Sequence, residues 1–174
     1  MRSLRRHTLL LSRIGLVAVL VLGTLRVTLF TVYRVSGTSM QEALQDGDRI
    51  FVLDPDWVRP LLGVGDTVVL EVDGEVLVKR IVAGPGDHIG MRRGLVVRNG
   101  EVVREEIPSG MNAPDSFPDT ALGDDEFFVL GDHRRVSVDS RDFGPVLRDH
   151  LRGLVLARVP PSGGFTTVAA LERG

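Results

Sequence analysis

The chain has 174 residues and no cysteine, which excludes disulfides and thiolate metal sites. Lysine is nearly absent as well. Of 21 basic residues 20 are arginine, and Lys79 is the single lysine. Arginine keeps its charge at any workable pH, whereas a buried lysine amine can give up its proton. A lone lysine within the apolar run Val76-Leu77-Val78-Lys79-Arg80 fits either a position that asks for a titratable amine or simple drift in an arginine-biased composition, and the segment upstream favours the first. Positive charge is also scarce beyond the N-terminus. Residues 27–174 carry 16 basic and 23 acidic side chains, so the body lacks the basic face that nonspecific nucleic-acid binding requires. The four histidines, His7, His88, His133 and His150, form no metal-ligand spacing.

What the chain has in abundance lies at its start. Residues 8–25, TLLLSRIGLVAVLVLGTL, are eighteen residues with one charge. As a helix they span ~27 Å, close to the ~30 Å hydrocarbon core of a bilayer. Arg13 can snorkel to the headgroups, and Arg26 marks the far boundary. Arg2, Arg5, Arg6 and Arg13 place the N-terminus in the cytoplasm by the positive-inside bias. The reading is a cytoplasmic segment 1–7, a transmembrane helix 8–25 and an acidic body on the outer face of the plasma membrane. A cleaved signal peptide fits less well, because the apolar stretch is long and VTLFTVY after it has no small-residue cleavage site.

Helical periodicity stops after that segment. Residues 27–35, RIFVL at 49–53, TVVLEV at 67–72 and EVLVKRIV at 75–82 read as strands, as do 95–98, 101–104, 126–130 and 153–159. Asp73-Gly74 and Asn99-Gly100 are two-residue hairpin turns, since these residues accept positive φ. The expected fold class is all-β: an antiparallel body over residues 26–160, with a small inserted β lobe at about 90–125 and a tail at 161–174. Residues 105–125, rich in Pro, Asp, Ser and Gly, read as an exposed loop. Trp57, the only tryptophan, sits in a Pro-rich loop and suits a membrane-interface anchor or packing over a sheet edge equally.

Chemistry concentrates in three segments. Ser39 follows Gly37 and Thr38 in a glycine-containing turn, which can present a hydroxyl beside free backbone N–H groups. A serine needs an adjacent base to act as a nucleophile. Lys79 lies forty residues downstream on another strand, where desolvation lowers the pKa of an amine. The third segment is Gly131-Asp132-His133-Arg134-Arg135-Val136-Ser137-Val138-Asp139-Ser140-Arg141-Asp142-Phe143-Gly144.

With these segments the chain resembles bacterial type I signal peptidases, the membrane-anchored Ser–Lys endopeptidases of protein export. Five blocks match in order: 26–35, 36–44, VGDTVVL at 64–70, KRIVAGPGD at 79–87, and 131–144. The resemblance implies Ser39 as nucleophile and Lys79 as general base. It implies Ser137 as the hydroxyl that orients the amine, Asp139 and Arg141 as a supporting ion pair, and Asp132 as part of that scaffold. Gly37, Thr38 and Met40 would belong to the oxyanion site or substrate cleft. The implied partners are exported preproteins with signal peptides and the lipid bilayer, with no metal or organic cofactor. The chain departs from the family pattern at Glu42 and Ala43, where proline and threonine are usual, at His133, where asparagine is usual, and at Gly37, where many relatives carry a hydroxyl. Two other readings share these residues. One is a self-cleaving Ser–Lys repressor of the SOS type, which needs a DNA-binding domain where this chain has its apolar segment. The other is an anchored β-module of the same fold that has lost activity.

Overall fold

Two dipeptides that tolerate left-handed backbone set the hairpins of the body. Asp73 and Gly74 have φ of 52° and 82°, and Asn99 and Gly100 have 53° and 85°. Positive φ at both central residues gives a turn whose twist matches that of the strands it joins. The computed structural model describes residues 13, 15–17, 30–53, 55–92, 95–103 and 116–168. In chain order its strands are β1 (Phe30–Arg34), β2 (Arg49–Leu53), β3 (Thr67–Val72), β4 (Glu75–Ala83), β5 (His88–Arg92), β6 (Leu95–Arg98) and β7 (Glu101–Val102). There follow β8 (Ser116–Ala121), β9 (Glu126–Leu130), β10 (Val146–Leu147), β11 (Leu151–Val159) and β12 (Thr166–Thr167). Between the strands lie two single-turn helices, α1 (Pro55–Val58) and α2 (Ser140–Phe143), and two short 3₁₀ turns.

The larger sheet runs β1-β2-β11-β3-β4-β9-β10, with β12 added to β11; the smaller runs β7-β6-β5-β8. Every strand pairing among the described residues is antiparallel. The antiparallel all-β body expected from the turn spacing is therefore what forms. β3 lies at its centre and sends alternate side chains to opposite faces. Val68 and Leu70 join a cluster with Ile81, Phe127, Val129 and Leu151. Val69 joins another with Met40, Leu44, Ile50 and Val155. A third cluster, Val82, Ala83, Ile89, Met91, Phe128 and Leu130, binds the smaller sheet to the ends of β4 and β9.

One expectation is corrected. Residues 105–125 read as an exposed loop, yet Ser116–Ala121 is strand β8, paired with β5. Its Pro118 and Asp119 mask the strand in the sequence, and an edge position tolerates both. Phe117 stacks on Phe128 with ring centroids 5.1 Å apart, which gives the edge strand its apolar anchorage. The short strands β5, β10 and β12 and both helices were not legible as elements. The expected membrane span at 8–25 lies outside the described residues except for Arg13 and residues 15–17, which are helical. Among the described residues no helix is long and apolar enough to cross a membrane.

Phe127 is 1% exposed and has the Arg148 guanidinium 4.9 Å above its ring. Phe127→Ala should cost about 3–5 kcal/mol by cavity formation, read as a lowered urea midpoint.

Candidate active site

β4 carries two consecutive cations, and adjacent residues of a strand point to opposite faces. Both nonetheless reach the loop that follows β9. Lys79 Nζ lies 3.1 Å from Ser137 Oγ. Arg80 forms a fork on Asp132, with Nε to Oδ1 at 2.8 Å and Nη2 to Oδ2 at 2.7 Å, while Nη1 donates to the Gly65 carbonyl at 2.9 Å. Register explains the reach. The pairing of β4 with β9 begins at Arg80 opposite Leu130, so the loop starting at Gly131 leaves the sheet beside Lys79.

That loop is held by its own side chains. Asp139 caps α2, accepts from the Gly131 N–H at 2.9 Å and receives two Arg141 donors at 2.8 and 2.9 Å. Arg141 also donates to the carbonyls of Arg134 and Ser137. Ser140 Oγ accepts from the Val129 N–H at 2.9 Å, tying the helix back to β9. Ser137 is thus fixed through its own carbonyl and through the cap two residues on.

The turn that carries Ser39 docks on the same loop. The His133 N–H donates to the Ser39 carbonyl at 2.9 Å, and the Asp132 N–H approaches Met40 Sδ at 3.4 Å. Gly131 is the contact point. A Cβ there would run into the Ser137 hydroxyl and come within 2.7 Å of the Ser39 carbonyl oxygen. The backbone of Ser39, the hydroxyl of Ser137 and the amine of Lys79 therefore share one corner of the molecule. Gly37 has φ of +99° and is exposed, and its N–H is already given to Asp46 Oδ1 at 2.9 Å. Thr38 is exposed, and its carbonyl accepts from the Gln41 N–H. Met40 is buried beneath the turn with Leu44 and Ile50. Among the described residues the Ser39 N–H makes no hydrogen bond.

The amine is nearly dry. Lys79 is 2% exposed, and burial pushes its pKa down from the ordinary lysine value. Asp139, Asp142 and Asp132 pull it back up, and Arg141 pushes it further down, but desolvation outweighs them. The reason is visible in the pairing. Asp139 is neutralised by Arg141 and Asp132 by Arg80, so neither carboxylate is left to hold a charged ammonium. Sequence reasoning brought together Ser39, Lys79, Ser137, Asp139, Arg141 and Asp132, but it missed Arg80, Arg134 and Ser140. Arg80 was detectable, since an arginine directly after the key lysine in an apolar strand needs a buried counter-charge.

This corner, with a serine turn, a buried amine and a second hydroxyl, has the parts of a serine peptidase. A sequence model described as "Signal peptidase, peptidase S26" matches residues 8–159. The chain belongs to that signal peptidase family and is a hydrolase of peptide bonds. Signal peptidase I of Bacillus amyloliquefaciens is 35% identical over 137 residues, 73% of this chain and 74% of its own. Signal peptidase I S of Bacillus subtilis is 32% identical over 136 residues, covering 72% and 74%. A probable signal peptidase I-1 of Synechocystis is 31% identical over 151 residues, covering 76% and 75%. A solved signal peptidase I from Enterococcus faecalis overlays on 53% of this chain and 95% of its own, with TM-score 0.46 and 22% identity.

Two outcomes test this geometry. Gly131→Ala should retain most secondary structure by circular dichroism yet lose peptidase activity by at least about tenfold, because the new methyl must displace Ser137 or the Ser39 turn. The lowered Lys79 pKa also has a sign for stability. Between the folded value and the unfolded value of ~10.4 the unfolded chain binds the extra proton, so unfolding free energy rises with pH across that window. Lys79→Met should be the more stable protein below the window and should lose that slope in denaturant titrations run at several pH values.

Proposed function

We propose that this signal peptidase cleaves signal peptides from exported preproteins with a Ser39–Lys79 dyad, while held to the membrane by residues 8–25. The observation that carries the reading is the buried Lys79 amine 3.1 Å from Ser137 Oγ, beside the turn that bears Ser39. Neutral Lys79 takes the proton of the Ser39 hydroxyl as the oxygen attacks the scissile carbonyl. The resulting oxyanion is met by the Ser39 N–H, with a second donor from the bound substrate or a neighbouring hydroxyl. Gly37 does not supply that donor while its N–H is engaged by Asp46. Lys79 then returns the proton to the leaving amine, and a water deprotonated by the same amine releases the acyl group. Ser137 accepts from the amine at 3.1 Å and so restrains it while its lone pair serves Ser39. Arg80–Asp132 and Arg141–Asp139 hold the loop and keep their carboxylates from recharging the lysine.

Substrate docking follows from an edge that is unpaired among the described residues. Residues 75–79 of β4 pair with β3 on one side, whereas β9 joins the other side only from Arg80 onward. An extended precursor segment added along that edge runs its backbone toward Lys79, as in strand addition. Residues 8–25, where the sequence reads as apolar and bilayer-length, concentrate the enzyme where membrane-held substrates are, so modest intrinsic affinity suffices.

Ser39→Ala and Lys79→Arg should each reduce precursor cleavage by at least about 10³-fold in a purified assay. The arginine keeps charge and approximate size but not the titratable amine, so full activity in that variant overturns the neutral-amine mechanism and favours another base. The wild-type kcat/KM should climb with pH as Lys79 loses its proton, with a midpoint below the ordinary ~10.4 of lysine. Residual structure without cleavage of any precursor would instead favour the inactive-module reading.

A further inference from the structure

The turn after the nucleophile has two faces. Its backbone bonds run from Gln41 to Thr38, from Ala43 to Met40 and from Leu44 to Met40, which is helical spacing. Residues three or four apart share a face under such bonding. Met40 and Leu44 are buried together in the core. Ser39 and Glu42, also three apart, are on the outer side, Ser39 part-exposed and Glu42 exposed. Among the described residues Glu42 makes no ion pair or side-chain hydrogen bond. The charges around it come from the loop that grips Ser39: Asp132 opposes its carboxylate, while His133 and Arg134 favour it.

We infer that Glu42 is a specificity residue that selects precursors with a basic side chain close to the scissile bond. A carboxylate one turn from the nucleophile stands within a few residues' reach of any peptide bond presented to Ser39. Asp132 faces its carboxylate from the loop that grips Ser39, and among the described residues no basic side chain forms an ion pair with it. A substrate lysine or arginine supplies what the fold omits, and an acidic side chain in the same place is repelled. The inference rests on Ser39 being the nucleophile of the proposed reaction.

The test uses the full-length enzyme in detergent and a set of fluorogenic peptides built on one neutral parent with a small–x–small cleavage site. Lysine or glutamate is placed singly at each position within three residues of the cut other than the two small ones. Wild type should cleave the best lysine peptide about fivefold faster in kcat/KM than its glutamate counterpart, the scale of a partly solvated charge pair. Glu42→Gln should bring that ratio to about one while cleaving the neutral parent at the wild-type rate, and Glu42→Lys should invert it. Raised salt should shrink the wild-type ratio and leave that of Glu42→Gln unchanged. Equal lysine and glutamate rates in wild type, or a ratio that survives in Glu42→Gln, overturns the inference and leaves the nucleophile assignment standing. Cleavage of the neutral parent by Ser39→Ala, or none by wild type, removes that assignment and the inference with it.

Discussion

The molecule is organised around the cost of keeping one amine out of water. An ammonium in an apolar site is costly unless it is paired, and here Asp139 and Asp132 are already matched to guanidinium groups. Arg141 occupies Asp139 and Arg80 occupies Asp132. What remains for Lys79 is a hydroxyl, a partner that suits a neutral amine as well as a charged one. A carboxylate in direct contact with Nζ would instead hold it as a stable ion pair.

The same ion pairs are poor candidates for net stabilisation. Taking a carboxylate and a guanidinium out of water costs about as much as their attraction returns. Their contribution here is better described as geometry. Asp139 at once caps α2, accepts from the Gly131 N–H and receives a two-pronged guanidinium, so few alternative conformations of the loop satisfy it. Arg80 does the same between Asp132 and the Gly65 carbonyl, joining the loop to the start of β3. Ser137 lies between two such fixed points, and the Ser39 turn rests on the first residues of the same loop.

Much of this was legible in the sequence, and the reasons are specific. The Asp73-Gly74 turn marked the β3–β4 hairpin because so few residues tolerate two successive positive φ values. TVVLEV and EFFVL were plain because strands buried on both faces for most of their length are largely apolar, and RIFVL because Ile50 and Val52 alternate into the core. β8 was hidden because an edge strand has little need of apolar alternation and can keep Pro118 and Asp119. The candidate site was legible through rarity, a single lysine among arginines, and through the ordered blocks around it. Arg80 stayed unseen because its partner Asp132 is 52 residues away in the chain, a pairing that only the sheet register reveals. Gly131 was likewise silent, since a glycine before an aspartate reads as a turn until its neighbours are in place.

The β3–β4 hairpin carries a consequence beyond its own stability. Lys79 faces Val68 and Arg80 faces Thr67 across it. A slip of one residue in a β ladder sends each side chain to the opposite face. Lengthening the Asp73-Gly74 connection by a single residue would thus offer the guanidinium where the amine belongs and strand Asp132 without its partner. A surface bend with no chemistry of its own keeps the buried amine and the structural guanidinium from trading places.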